Sequence, residues 1–152
     1  MLCGTSLSRR RTPIAARTKI EVSPALCRRL QGLDDLARVL FPDNRNHRLA
    51  CVVFLLALKY AENAFLASSS DWTRSYAISP RTAEIVRAKL RRLGIVRRVS
   101  HFDPAHGNRS GWVFCDRFCQ ALLGLASAVR AMRQPADTPC ARDKDTNAVL
   151  YV

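Results

Sequence analysis

One stretch constrains this chain more than any other, the sixteen residues from Ser79 to Gly94. A serine able to accept from the free N–H groups of a first helical turn precedes Pro80, and proline fits the first helical position because its missing N–H costs nothing there. A glycine closes the run. Between these marks Ala83, Val86, Leu90 and Leu93 recur at spacings of three, four and three, which predicts a helix over 79–93 with one buried face. The other face carries Arg81, Glu84, Ile85, Ala88, Arg91 and Arg92, flanked by Arg87. After Gly94 the period changes. Ile95 to Phe102 is rich in β-branched residues, residues 103–111 are dense in turn formers, and Trp112-Val113-Phe114 is extended again, so a β-hairpin with a long tip is expected.

The flanking segments read as helices. Ser23 and Pro24 open a predicted helix over 24–40, whose stripe is Leu26, Leu30, Leu33, Ala37 and Leu40, with Gly32 as its weak point. A second helix is expected from Asn46 to Leu66; it is apolar almost all round between Leu49 and Leu58 and should therefore be central. Asp71 would cap a short helix through Tyr76, and Asp116 a last one over 116–132 with Phe118, Leu122, Leu125, Val129 and Met132 on one side. The ends differ in composition. Residues 1–22 form a basic stretch without periodicity and residues 134–152 have no apolar face, so a flexible arm, a folded region over 23–133 and a flexible tail are predicted. A chain of 152 residues suits one such domain.

Charge narrows the function. Lys and Arg number 25 against 12 Asp and Glu, giving +13, and 21 of the 25 are Arg. Within residues 74–98 alone, eight cations face Glu84 as the single acid, a net +7. Such a cluster favours a polyanionic partner, since guanidinium groups bind phosphates bidentately and each neutralised phosphate adds sequence-independent affinity. The longest apolar run, Leu49 to Leu58, is ten residues, too short to span a bilayer. The start resembles no secretory signal, although its Arg- and Ser-rich, acid-free character is shared by organellar transit peptides. An intracellular protein of cytoplasm or nucleoid, with its six cysteines mostly reduced, is the expectation.

Taken together, residues 46–132 resemble a winged helix-turn-helix DNA-binding domain: helix, short helix, turn, basic helix, two-stranded hairpin, helix. The resemblance rests on residues 78–96, with their Ser-x-x-Thr start, apolar stripe and Leu-Gly-Ile-Val passage into a strand. It implies a mainly α fold with a small β-hairpin and flanking helices, binding double-stranded DNA as a transcriptional regulator. Helix 79–93 would enter the major groove and the 103–111 wing would follow the backbone. Base edges would then be read by Arg81, Thr82, Glu84, Ile85 and Ala88: Arg81 suits guanine O6 and N7, Glu84 the cytosine amino group, Ile85 or Ala88 a thymine methyl. Phosphates would fall to Arg74, Arg87, Arg91, Arg92, Arg97, Arg98 and Arg109.

Other readings of the same residues compete. A plasmid or phage replication or partition factor would use the same domain on iterated sites, and a winged-helix interaction module would dock an acidic protein instead. RNA stays open as a partner. A solvated amphipathic helix also shows a charged face. A homodimer through helix 24–40 or 116–132 would match paired half-sites. Cys115 and Cys119, and His47 and Cys51, share i, i+4 spacing, and His101 and His106 lie near in sequence, yet the paired Cys-x-x-Cys zinc signature is missing. No phosphate loop, nucleophile elbow or zinc-protease motif occurs. We therefore assign no catalytic, cofactor-binding or metal-binding residue and expect no enzyme and no membrane partner.

Overall fold

The computed structural model describes residues 18–103, 107–135 and 137–151. The protein is mainly helical with a small three-stranded antiparallel sheet. Two compact units divide at Asp116 and Arg117. The first unit holds four helices, α1 (Pro24–Arg28), α2 (Leu33–Leu40), α3 (Arg45–Lys59) and α4 (Pro80–Leu93), and three strands, β1 (Leu66–Ala67), β2 (Val96–Asp103) and β3 (Gly107–Phe114). The second holds α5 (Arg117–Ala131), α6 (Pro139–Asn147) and a closing 3-10 turn at Ala148–Tyr151.

Helix α3 is the hub of the first unit, as its apolar run requires. Ala50, Cys51, Val53, Phe54, Leu55 and Leu58 are buried in it, and Asn44 caps its start by accepting from the His47 N–H at 3.1 Å. Its cover is incomplete: Leu49 and Leu56, seven residues apart on one side, stay exposed. Phe54 sits between the two tryptophans, 5.1 Å from Trp72 and 6.0 Å from Trp112, centroid to centroid. Helices α2 and α4 pack against α3 and bury Ala37 and Leu40 from the one and Ala83, Val86 and Leu90 from the other, and Val96 of β2, which packs against α4, is buried too. Burying a leucine, valine or phenylalanine side chain of this set contributes about 1.5–3 kcal/mol before the entropy of ordering is counted.

Helix α4 forms as its sequence marks require. Ser79 Oγ accepts from the Thr82 N–H at 3.1 Å, Pro80 occupies the first position, and Gly94 ends the helix in the left-handed region at φ 81°. Only glycine takes that conformation without steric cost. In the hairpin, β2 pairs β3 over its full length, Val96 opposite Phe114 and Asp103 opposite Gly107.

Several expected elements take another form. The single helix over 24–40 is two: the chain leaves α1 at Arg29, and Gly32 stands extended before α2. The leucine stripe spans the break, which is why periodicity alone does not reveal it. The helix expected to Leu66 stops at Lys59, and Leu66–Ala67 is instead β1, pairing β3 with Leu66 opposite Trp112. The short helix after Asp71 shrinks to a 3-10 turn at Arg74–Tyr76 that follows Thr73 rather than Asp71, and Asp71 binds Arg74 at 2.8 Å. The expected tail over 134–152 contains α6, capped by Thr138. The long hairpin tip is short, since the strands run to Asp103 and from Gly107. Of the expected arm, residues 1–17 lie outside the described residues, as do 104–106 at the tip; residues 18–22 are ordered against α2, Glu21 N–H donating to the Val39 carbonyl at 2.9 Å.

No helix among the described residues is long and apolar enough to cross a membrane.

Candidate nucleic-acid interface

Helix α4 sorts its residues by angle. Ala83, Val86 and Leu90 face the core, and Arg81, Glu84, Arg91 and Arg92 face solvent, with Ala88 half-buried among them. Arg81 lies 3.9 Å from Glu84, so the two candidate base-readers sit side by side one turn apart. Thr82 does not join them. It is half-buried, and its hydroxyl lies 2.9 Å from Ser79 Oγ, where it completes the cap. Ile85 is half-buried on the flank of the helix that leads toward Lys89.

Lys89 belongs to no surface patch, although its charge counts in the sequence cluster. It is buried, with Nζ donating to the Lys19 carbonyl at 2.5 Å and lying 4.6 Å from the Phe41 ring centre. Burial lowers the pKa of its ammonium, with Asp43 and Cys51 opposing and Lys19 adding to the shift.

The strands divide the remaining arginines. Side chains of residues directly opposite in an antiparallel pair share a face, and neighbours along a strand alternate. Arg98 is opposite Trp112, and Ser100 opposite Ser110, so these four share the face that carries the buried Trp112. Arg97 is opposite Val113 and Arg109 opposite His101, which puts both arginines on the other face. Arg109 thus stands in β3 rather than at the hairpin tip, and Arg97 and Arg98, adjacent in sequence, diverge. Arg74 is exposed and paired with Asp71.

Between α4 and the sheet lies a half-open cleft of about 370 Å³. Arg87 and Arg91 line it from the helix and Arg98 from β2, with Glu84 as the one acid and Ser68 and Trp112 completing it on the sheet side. Arg98 donates to Ser110 Oγ at 3.3 Å, and Ser110 Oγ donates to Ser68 Oγ at 3.1 Å, a run that holds the guanidinium in place. Arg87 rests over the Trp112 ring, 5.9 Å from its centre. Burial pulls the Arg87 guanidinium below its usual range, Glu84 works against the shift and Arg98 adds to it; an arginine nonetheless keeps its charge. The indole Nε1 of Trp112 is buried with no acceptor among the described residues.

The sequence points to no binding role for Ser68 or Ser110, and to Trp112 as a core or hairpin packing residue. The signal for two of them was present: once the hairpin is accepted, period-2 alternation puts Ser110 and Trp112 on one face. Ser68 had none, because its place depends on a two-residue strand. Among the described residues no group of three His, Cys, Asp or Glu side chains gathers to hold a metal.

Compared with known proteins, the chain matches no protein-family model, no curated protein and no solved structure.

Proposed function

We propose that this protein binds double-stranded DNA sequence-specifically through a winged helix-turn-helix unit and acts as a transcriptional regulator. The observation that carries the reading is the outer face of α4, where Arg81, Arg91 and Arg92 stand clear of the core with Arg98 alongside across the cleft. The element order supports it: α3, β1, the turn at Arg74–Tyr76, α4 and the β2–β3 hairpin follow one another as in a winged helix. Helix α4 would lie in the major groove, Arg81, Glu84 and Ala88 reading base edges and Arg91, Arg92 and Arg98 holding phosphates.

A salt titration on random-sequence duplex tests this. The affinity should fall steeply with salt, and replacing Arg91, Arg92 and Arg98 together by Gln should flatten the slope by about 0.9 for each phosphate no longer neutralised. An unchanged slope overturns the groove-docking reading. On a selected site, Arg81→Ala should relax preference at one base pair, whereas Arg98→Ala should weaken all sequences alike. Arg97→Ala, from the other sheet face, should matter less than Arg98→Ala.

A homodimer through α5 fits this function better than one through residues 24–40. Ala37 and Leu40 of α2 are buried within their own unit, whereas Leu122, Leu125, Val129 and Met132 are all exposed. Sedimentation equilibrium checks it: Leu125→Asp should shift the protein to monomer, and a wild-type monomer at all concentrations overturns the pairing.

A further inference from the structure

The cleft between α4 and the sheet is larger than a DNA backbone phosphate needs. Its volume of about 370 Å³ lies within the range of small-molecule sites. Its charge is unusual for a groove beside a core: three guanidinium groups, from Arg87, Arg91 and Arg98, against the single carboxylate of Glu84. That net excess of two positive charges matches a phosphomonoester dianion. Fork-shaped donors suit such a group geometrically. Arg98 is held by Ser110 and Arg87 by the Trp112 ring, with a further bond from Arg87 Nε to the Ala83 carbonyl at 3.3 Å, so two of the three are positioned before any ligand arrives. Trp112 adds a feature independent of charge. It lines the cleft and is 8% exposed, so its ring forms a fixed part of the wall.

We propose that this cleft binds a free phosphorylated small molecule of about the size of a nucleoside monophosphate. Its phosphate is held by Arg87, Arg91 and Arg98, with Trp112 as part of the wall beside them. The binding stands without the DNA reading. A consequence does rest on it: Arg91 and Arg98 serve both ligands, so the small molecule and duplex DNA exclude each other.

Calorimetry on the full chain at constant ionic strength tests the site, with adenosine 5′-monophosphate, inorganic phosphate and adenosine as probes. The monophosphate should bind at millimolar concentration or below, phosphate more weakly, and adenosine not at all. Binding should strengthen as pH rises through about 6, where the monoester becomes a dianion. Arg98→Gln and Arg91→Gln should each weaken it about tenfold, the size expected for losing a hydrogen bond to a charged acceptor. Arg38→Gln, on α2, should leave it unchanged. No binding of monophosphate or phosphate, or equal loss in Arg38→Gln, overturns the proposal. Monophosphate binding without any duplex binding retains this site and overturns the DNA reading; duplex binding without monophosphate binding does the reverse. If both bind, displacement of duplex by the monophosphate but not by adenosine is expected, and simultaneous binding overturns the shared use of Arg91 and Arg98.

Discussion

The guanidinium of Arg87 lies over the indole of Trp112, 5.9 Å from the ring centre, and joins the middle of α4 to the second half of β3. A cation over an indole face is attracted by the ring quadrupole, more strongly where water is partly excluded. Arg87→Ala should therefore destabilise the first unit by about 1 kcal/mol, with part of the loss coming from packing by its aliphatic stem. Urea melts of Arg87→Ala and Arg87→Met separate the two contributions, since methionine keeps most of the stem. Equal stability of wild type and both variants would deny this pair any structural role.

Two turns around α4 have opposite needs. Gly94 sits at φ 81° and Ala77 at φ 51°, both left-handed. Gly94→Ala should cost about 1 kcal/mol, and Ala77→Gly should be neutral or stabilising by up to about 1 kcal/mol, because relief of the Cβ clash offsets the added freedom of the unfolded chain. Denaturant midpoints moving in the same direction for both would contradict this.

Gly111 is a matter of space rather than of backbone angle. A Cβ there would collide with the Phe65 ring and fall 2.6 Å from the Leu66 carbonyl oxygen. Phe65 can give way only in part and the Leu66 backbone is fixed by the β1–β3 pairing, so Gly111→Ala should destabilise by about 1–3 kcal/mol. Hydrogen exchange should show the Ser68 N–H, which donates to the Ser110 carbonyl at 2.8 Å, losing protection first.

Thiol chemistry should divide the cysteines. Cys51 is fully buried, and burial pushes its thiol up to about 12, with Lys89 opposing; Cys27, Cys119 and Cys140 are exposed. A thiol-disulfide reagent at pH 8 should modify those three rapidly and Cys51 only on unfolding, because the thiolate is the nucleophile. Rapid labelling of Cys51 in the folded protein would show the core to be open.

Stability should also depend on pH through His47. Burial first, and Lys89 second, lower its pKa below 6.5. Between the folded value and 6.5 the unfolded chain holds more protons, so stability is full above pH 6.5 and declines as pH falls through the folded value. His47→Gln should remove that part of the slope in melts run from pH 7 to 5, and an unaltered slope would assign it to another group.

How much of this was legible in the sequence follows from the range of the forces involved. Helix α4 was readable because its determinants are local: Ser79, Pro80, the stripe and Gly94 all act within one turn of the residues they organise. The hairpin was readable for the same reason. The two-residue strand β1 was not, since Leu66 and Ala67 have no extended pattern of their own and are strands only by pairing with Trp112 and Gly111. The break before α2 was masked by leucines that keep their spacing across Gly32. The arginine set was legible as a charge and not as a surface, because the alternation that separates Arg97 from Arg98 acquires meaning only when Trp112 fixes which face is inward.

The bond from Lys89 to the Lys19 carbonyl has a mechanical consequence. It ties the rear of α4 to the chain just ahead of α1, where the exposed Lys19 side chain lies 3.8 Å from Asp43. Tension applied to the chain on the N-terminal side of Lys19 therefore reaches the arginine-bearing helix by one hydrogen bond, without first having to deform α3.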